Sequence, residues 1–229
     1  MTEHVKNGVG KQQGMLNLII GILAFGSIWG LAEIVLSGGL AATDFPYRAG
    51  LLTGIGMAIM GMALVIHRKP AMLLGIGLVA VLVKLMVVPI LQISIMCKAN
   101  SVIAVATESV ALTLVASLFM GSMSRSIHTR MGGGALAAII AAVGFYFIGI
   151  NAAPCQYLLS FTPVGFIVTE GLIWVAFSAI LLPLGYLAGE KLAAVTSLAL
   201  MRRSLYYATS AAIICLCWGV SAVAIMAGL

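Results

Sequence analysis

The sequence predicts an all-α fold, a bundle of helices that crosses a membrane about seven times. Of its 229 residues, 62% are hydrophobic and only 8% are charged. The mean hydropathy of +1.19 is too high for a soluble domain, which must solvate its surface. Apolar runs of about 20 residues, long enough to cross a bilayer core of about 30 Å, recur almost from end to end. They are predicted to be helices because lipid offers no partner for unpaired backbone groups.

The runs leave no room for a separate soluble domain, so residues 1–229 are predicted to form a single integral membrane domain. The first run is longer than the core of a signal peptide and is predicted to remain as a first helix. The amphipathic segment 189–204 ends in the basic pair Arg202 and Arg203 and is predicted to lie on the membrane as an interfacial helix. If this segment re-entered the membrane the count would change, and six spans are an alternative. The seven predicted spans are residues 15–39, 49–67, 71–96, 101–123, 132–152, 164–188 and 205–228.

Basic residues favour one side of the membrane. Arg48 and Lys98 are the only basic residues in the loops of one side, whereas nine lie at the N-terminus and in the alternate loops. The positive-inside rule therefore places the N-terminus in the cytoplasm and, with seven spans, the C-terminus outside. The net charge of +6 reflects this topology, and no nucleic-acid partner is predicted. The nine are Lys6, Lys11, Arg68, Lys69, Arg125, Arg130, Lys191, Arg202 and Arg203.

Four charged residues interrupt the apolar spans. Glu33, Glu108 and Glu170 lie in the first, fourth and sixth predicted spans, and Lys84 lies near the middle of the third. With the predicted topology, all three glutamates fall in the outer half of the membrane. A charge at membrane depth is costly, and such residues usually face the bundle interior and mark a functional site. We expect Lys84 to pair with Glu108 or Glu33, which leaves two carboxylates to be protonated or to bind a ligand. The alternative is that all three glutamates only lock helices together.

Other polar and aromatic residues complete the candidate binding site. Trp29 and Trp174 each lie one helical turn from a glutamate, where a ring can stack on a flat or cationic ligand, although either can equally be a packing residue. The remaining candidates lie at the depth of the glutamates or near the outer face: Gln92, Arg48, Asn151 and Gln156.

The two long external connections suggest site architecture. Residues 40–48 place Asp44 and Arg48 around a proline turn, and residues 151–163 form a polar and aromatic segment. The second segment is either a lid or a connector whose Tyr157 and Phe161 belong to an interfacial aromatic belt. Cys97 and Cys155 both fall in external connections, where a disulfide between them is possible in an oxidising compartment.

Several classes of protein are not indicated. The three histidines lie on the predicted cytoplasmic side, so no haem or histidine-rich metal site is expected within the spans. The sequence contains no Walker A loop, and no histidine lies within a span to partner a nucleophile. We therefore predict no enzyme, no metal and no cofactor.

Three segments carry a family resemblance: FGSIWGLAEIVLSGGL, RAGLLTGIGMAIMG and IAVATESVAL. Over residues 15–120 the pattern resembles the S components, the substrate-binding membrane subunits of energy-coupling factor (ECF) transporters. The resemblance implies a bundle of usually six helices that binds a vitamin or related micronutrient near the external face, under loops that act as a gate. It also implies a transmembrane coupling subunit and two cytoplasmic ATPases as partners. The small-residue motif with which the family meets the coupling subunit is loosely represented by Gly26 and Gly30, and His4 is not where metal-specific relatives carry their N-terminal histidine.

The predicted function is therefore substrate capture for micronutrient uptake, in the cytoplasmic (inner) membrane of a bacterium or archaeon. The expected substrate is a small organic cation or zwitterion. One alternative is a membrane anchor or assembly subunit of a larger complex. Another is a cation- or proton-coupled carrier that works alone, although the sequence shows no convincing inverted repeat.

Overall fold

The computed structural model describes the backbone of residues 2–201 and 203–228, with side chains for 14–196 and 204–228. The structure is 88% helical, and the described residues contain no strand. A 3₁₀ turn at Ile95–Lys98 and a π-helical turn at Ile167–Gly171 interrupt the α-helices. The helices are α1 (Thr2–Ala42), α2 (Arg48–His67), α3 (Met72–Leu85), α4 (Val87–Leu91), α5 (Ala99–Met123), α6 (Ile127–Ala152), α7 (Gln156–Leu159), α8 (Pro163–Phe166), α9 (Leu172–Met201) and α10 (Arg203–Met226).

Seven helical segments within the described residues are long and apolar enough to cross a membrane. The predicted all-α transmembrane bundle is therefore confirmed. Many large apolar side chains on the outside of the bundle are exposed, as expected for a surface that faces lipid. In order, spans 1 to 7 are Gly14–Ala42, Arg48–His67, Met72–Leu91, Ile95–Met123, Ile127–Ala152, Pro163–Thr196 and Ser204–Met226.

The first six spans form a closed ring. Going around it, span 1 packs on span 3, span 3 on span 4, span 4 on span 5, span 5 on span 6, span 6 on span 2, and span 2 on span 1. Span 7 packs on span 1 from outside the ring. There the Trp218 indole N–H donates a hydrogen bond to Ser27 Oγ at 2.9 Å. The architecture is thus a six-helix bundle with a peripheral seventh helix.

Glycines let span 1 approach span 3 closely. A Cβ added to Gly26 or to Gly30 would lie 2.5 Å from the Cβ of Val79 or of Val83, respectively, which is too close for real atoms. Small residues at helix contacts are typical of membrane bundles because they let backbones approach. The two glycines therefore serve the close packing of spans 1 and 3.

Span 3 is broken near the end that carries Lys84. Pro89 has no N–H to donate to the carbonyl of Leu85, so the helix is interrupted there, between α3 and α4. The span ends at Leu91 rather than at the predicted residue 96, because Gln92 adopts a left-handed conformation with φ 52°.

Helix α9 continues past the predicted end of span 6. Residues 189–201 belong to the same helix as span 6 and do not form a separate interfacial helix, which corrects that prediction. The physical reason is that 190–201 consists mainly of good helix formers, with no proline or glycine to stop the helix. Near the start of the 190–201 segment, the Arg130 guanidinium donates a hydrogen bond to Glu190 Oε1 at 2.8 Å. The basic pair Arg202 and Arg203 lies outside the residues whose side chains are described.

Candidate functional site

A cavity of about 640 Å³ opens at one end of the six-helix ring. Its walls come from span 1 and the turn after it, the first turns of span 2, the first half of span 4, the end of α3, Phe145 of span 5, α7 and span 6. The described lining residues include four carboxylates and two cationic side chains, which give a formal charge of −2 when all are ionised. They are Glu33, Asp44, Glu108 and Glu170, with Arg48 and Lys84.

Lys84 and Glu33 form a buried ion pair. The Lys84 ammonium donates a hydrogen bond to Glu33 Oε2, and their side chains are only 11% and 5% exposed. Spans 3 and 1 are neighbours in the ring, so these two residues can meet deep in the cavity. Of the two candidate partners for Lys84, the structure therefore selects Glu33.

Glu108 is buried in the same cavity without a cationic partner within 4 Å among the described residues. It is 3% exposed. Its Oε1 lies 2.9 Å from the Thr53 hydroxyl, which shares its single hydrogen between this oxygen and the Ala49 carbonyl at 3.0 Å. Glu108 Oε2 is buried and has no hydrogen-bond partner among the described residues. A buried oxygen without a hydrogen bond costs free energy. A hydrogen-bond donor on a ligand would therefore be stabilised most by binding at this oxygen.

Glu170 lies nearer the mouth of the cavity, in the π-helical turn Ile167–Gly171. Such turns are rare and are frequently found at functional sites. The neighbouring Tyr157, on α7, also lines the cavity. Burial, and then the charge and hydrogen bonding of Glu170, raise the pKa of the Tyr157 hydroxyl above its ordinary value, while Arg48 acts in the opposite direction. Tyr157 therefore keeps its proton at neutral pH and offers the cavity a neutral hydroxyl.

The segment 151–163 covers this end of the ring. Leu158 is fully buried, and a Cβ added to Gly149 would lie 2.8 Å from Leu158 Cδ1. The Tyr146 hydroxyl donates to the Phe161 carbonyl at 2.9 Å. Because Tyr157 lines the cavity and its neighbours are anchored to span 5, the arrangement favours a cover over a plain connector.

Aromatic rings form one wall of the cavity. Phe145 and Trp174 both line it, with ring centroids 5.6 Å apart and planes inclined by 38°. Trp174 is one helical turn after Glu170, as the sequence predicted, and its indole N–H is buried without a partner among the described residues. The wall can contact a flat ligand, and the indole can donate one hydrogen bond to it.

The cavity brings together six of the ten residues predicted for the site. They come from spans 1, 2, 3, 4 and 6, which explains why no single segment of the sequence contains the site. The six are Glu33, Arg48, Lys84, Glu108, Glu170 and Trp174.

The other four predicted residues do not line the cavity, which corrects those expectations. Trp29 is fully buried in the bundle core, where its ring occupies the space left by Gly56. Gln92 is exposed at the end of α4. Asn151 is exposed and donates its amide N–H to the Phe147 carbonyl at 2.7 Å. Gln156 is the exposed first residue of α7.

Sequence reasoning missed Thr53, Asn100 and Phe145 as cavity residues. Asn100 Oδ1 is buried without a partner among the described residues. A signal was present for two of the three, because Thr53 and Asn100 are polar residues within the first turns of apolar spans that begin at the same end as the glutamates. Phe145 gave no such signal in an apolar helix.

Among the described residues there is neither a disulfide nor a cluster of metal-binding side chains. Cys97 and Cys155 are both free thiols, so the disulfide considered from the sequence is not formed. Within residues 14–196 and 204–228, no group of three or more His, Cys, Asp and Glu side chains is arranged to hold a metal ion.

Comparisons with known proteins give no match for this chain. No protein-family model matches it, and neither a curated protein nor a solved structure does.

Proposed function

We propose that the protein is a membrane subunit that captures a small cationic or zwitterionic molecule, such as a micronutrient, for uptake. The observation that carries the proposal is the acidic cavity in the six-helix ring. Its volume of about 640 Å³ lies within the range of about 300 to 1,000 Å³ that is usual for small-molecule sites.

The charges of the cavity support a cationic group on the ligand. Lys84 is matched to Glu33, and Glu108 has a buried oxygen without a partner among the described residues. A buried carboxylate is stabilised by a nearby positive charge because the surrounding dielectric is low. A ligand cation beside Glu108 would supply that charge, and the aromatic wall would hold the rest of the molecule.

The distribution of basic residues supports capture from outside. Spans 2, 4 and 6 begin at the end of the ring where the cavity opens. The positive-inside rule places this end outside the cytoplasm, because its loops contain only Arg48 and Lys98 as basic residues. Substrate would then enter beside the 40–48 and 151–163 segments.

The resemblance to ECF S components adds a coupling subunit and cytoplasmic ATPases to the proposal. Because Gly26 and Gly30 are covered by span 3, such a partner would contact another surface of the bundle. The alternatives are a membrane anchor of a larger complex, which co-purifying proteins would identify, and a carrier working alone, which a transport assay would identify.

The test is purification in mild detergent followed by mass spectrometry of the bound small molecules and proteins. We expect about one cationic or zwitterionic molecule per chain, together with a transmembrane protein and ATPases. Cytochromes or redox subunits without a bound small molecule would support the anchor. Transport by the protein alone in proteoliposomes would support the carrier.

A further inference from the structure

We propose that the cavity selects a zwitterion, with its cationic group on Glu108 and its anionic group at Arg48. This inference rests on the proposed function and specifies both the class of the captured molecule and its orientation. The cation points into the membrane, and the anion points towards the mouth of the cavity.

The cationic end is assigned to Glu108 because Glu33 already has a partner. Glu33 receives the Lys84 ammonium, whereas Glu108 Oε2 is buried and unpartnered within the described part of the chain. An ammonium or amidinium group suits this oxygen, because it carries a positive charge and several N–H donors.

The anionic end is assigned to Arg48, the first residue of α2. Its side chain lines the cavity and has no ion pair within 4 Å among the described residues, although Asp44 and Glu170 also line this end. A cation is unfavourable at a helix N-terminus, whose unpaired N–H groups carry partial positive charge, unless an anion is bound there. Helix α2 has no acidic residue in its first turn and no side-chain cap. Arg48 and the helix end therefore both favour an anionic group.

The helix sets the separation of the two charges. The Glu108 carboxylate lies beside Thr53, and Thr53 is five residues after Arg48 on α2. A rise of ~1.5 Å per residue separates these two levels by about 8 Å along the axis. The aromatic wall of Phe145 and Trp174 lines the same cavity, so a rigid ring between the two charges fits best.

Three matched probes test the assignment: para-(aminomethyl)benzoate carries both charges, para-methylbenzylamine only the cation, and para-methylbenzoate only the anion. Binding is measured by calorimetry on detergent-solubilised protein washed free of bound molecules. Each charged contact is expected to be worth about tenfold in affinity. The zwitterion should therefore bind about tenfold more tightly than the amine. The carboxylate should bind least, because it leaves the buried Glu108 oxygen without a partner.

Two variants test the contacts at the two ends of the ligand separately. Arg48→Gln should reduce affinity for the zwitterion to that for the amine and leave amine binding unchanged. Glu108→Gln, which retains an acceptor for Thr53, should abolish the preference of both amine-bearing probes over the carboxylate. Glu190→Gln, at the opposite end of the ring, is the matched control and should leave the affinities for all three probes unchanged.

Equal affinity for the amine and the zwitterion would overturn the inference, as would failure of the zwitterion to bind or an equal effect of Arg48→Gln on both probes. If purified protein nevertheless retains a small molecule, capture stands and only the zwitterion assignment fails. If it retains none and none of the probes binds, the proposed function fails as well.

Discussion

Glu33 and Glu108 line the same cavity, yet their carboxylates have different partners. Glu33 meets the Lys84 ammonium across neighbouring spans, whereas the one hydrogen-bond partner of Glu108 among the described residues is the Thr53 hydroxyl. A charge buried with its counter-ion is tolerated, but one left alone must be protonated or be matched by a ligand. Glu33 therefore stabilises the ring through its ion pair, and Glu108 is available to bind a substrate.

Replacing Lys84 tests this difference. Lys84→Met should destabilise the protein by about 3 kcal/mol because it leaves the buried Glu33 carboxylate without its cation. Adding Glu33→Gln should recover most of that loss, since no charge is then left unpaired. The measurement is thermal unfolding in detergent. If the double variant is no more stable than Lys84→Met alone, the ion pair does not have the structural role assigned to it.

Some site residues could be predicted from the sequence and others could not. Charged residues in apolar helices stand out, so the sequence alone singles out the three glutamates and Lys84. Trp29 and Trp174 each lie one turn from a glutamate, and the sequence could not separate them. Their roles depend on what each ring faces: the core space at Gly56 for Trp29, and the cavity for Trp174.

At the scale of elements, two spans depart from regular α-helix next to site residues. Span 3 breaks after Leu85 because of Pro89, and span 6 contains the π-helical turn that carries Glu170. The break could have been predicted from the proline. The π turn could not, because it depends on how span 6 packs against its neighbours rather than on a residue type. Likewise, the seven spans follow from apolar length, but the order of helices around the ring does not.

Close packing of spans 2 and 6 gives a prediction for the ring itself. A Cβ added to Gly185 on span 6 would lie 2.1 Å from the Ala58 carbonyl oxygen, a backbone atom that cannot rotate away. Gly185→Ala should therefore force the spans apart and destabilise the protein by about 3 kcal/mol. The control is Gly219→Ala on span 7, where the added carbon meets no packing neighbour within 4 Å among the described residues and alanine is the better helix former. Thermal unfolding that shows equal effects for the two variants would contradict the described packing.

At the scale of the whole molecule, a closed six-helix ring encloses the cavity, and span 7 lies outside it on span 1. Six spans are thus sufficient to build the site, even though seven cross the membrane. The direction in which the cavity faces still rests on the distribution of basic residues.

A native cysteine tests that direction. Cys97 is an exposed free thiol in the 3₁₀ turn at the cavity end of the ring. In a Cys155→Ser background, we expect a membrane-impermeant maleimide added outside intact cells to label Cys97, and Cys97→Ser to abolish the labelling. Labelling that occurs only after the cells are opened would place the cavity on the cytoplasmic side and exclude capture from outside.

Native mass spectrometry of the purified protein is the sharpest test of the proposal that Glu108 holds a captured cation. We expect a small-molecule adduct on the wild type and on the Glu190→Gln control. The same adduct should be reduced at least tenfold on Glu108→Gln, because a neutral amide cannot replace the charge of the carboxylate. Equal occupancy on wild type and Glu108→Gln, or no adduct on any of the three proteins, would contradict the claim.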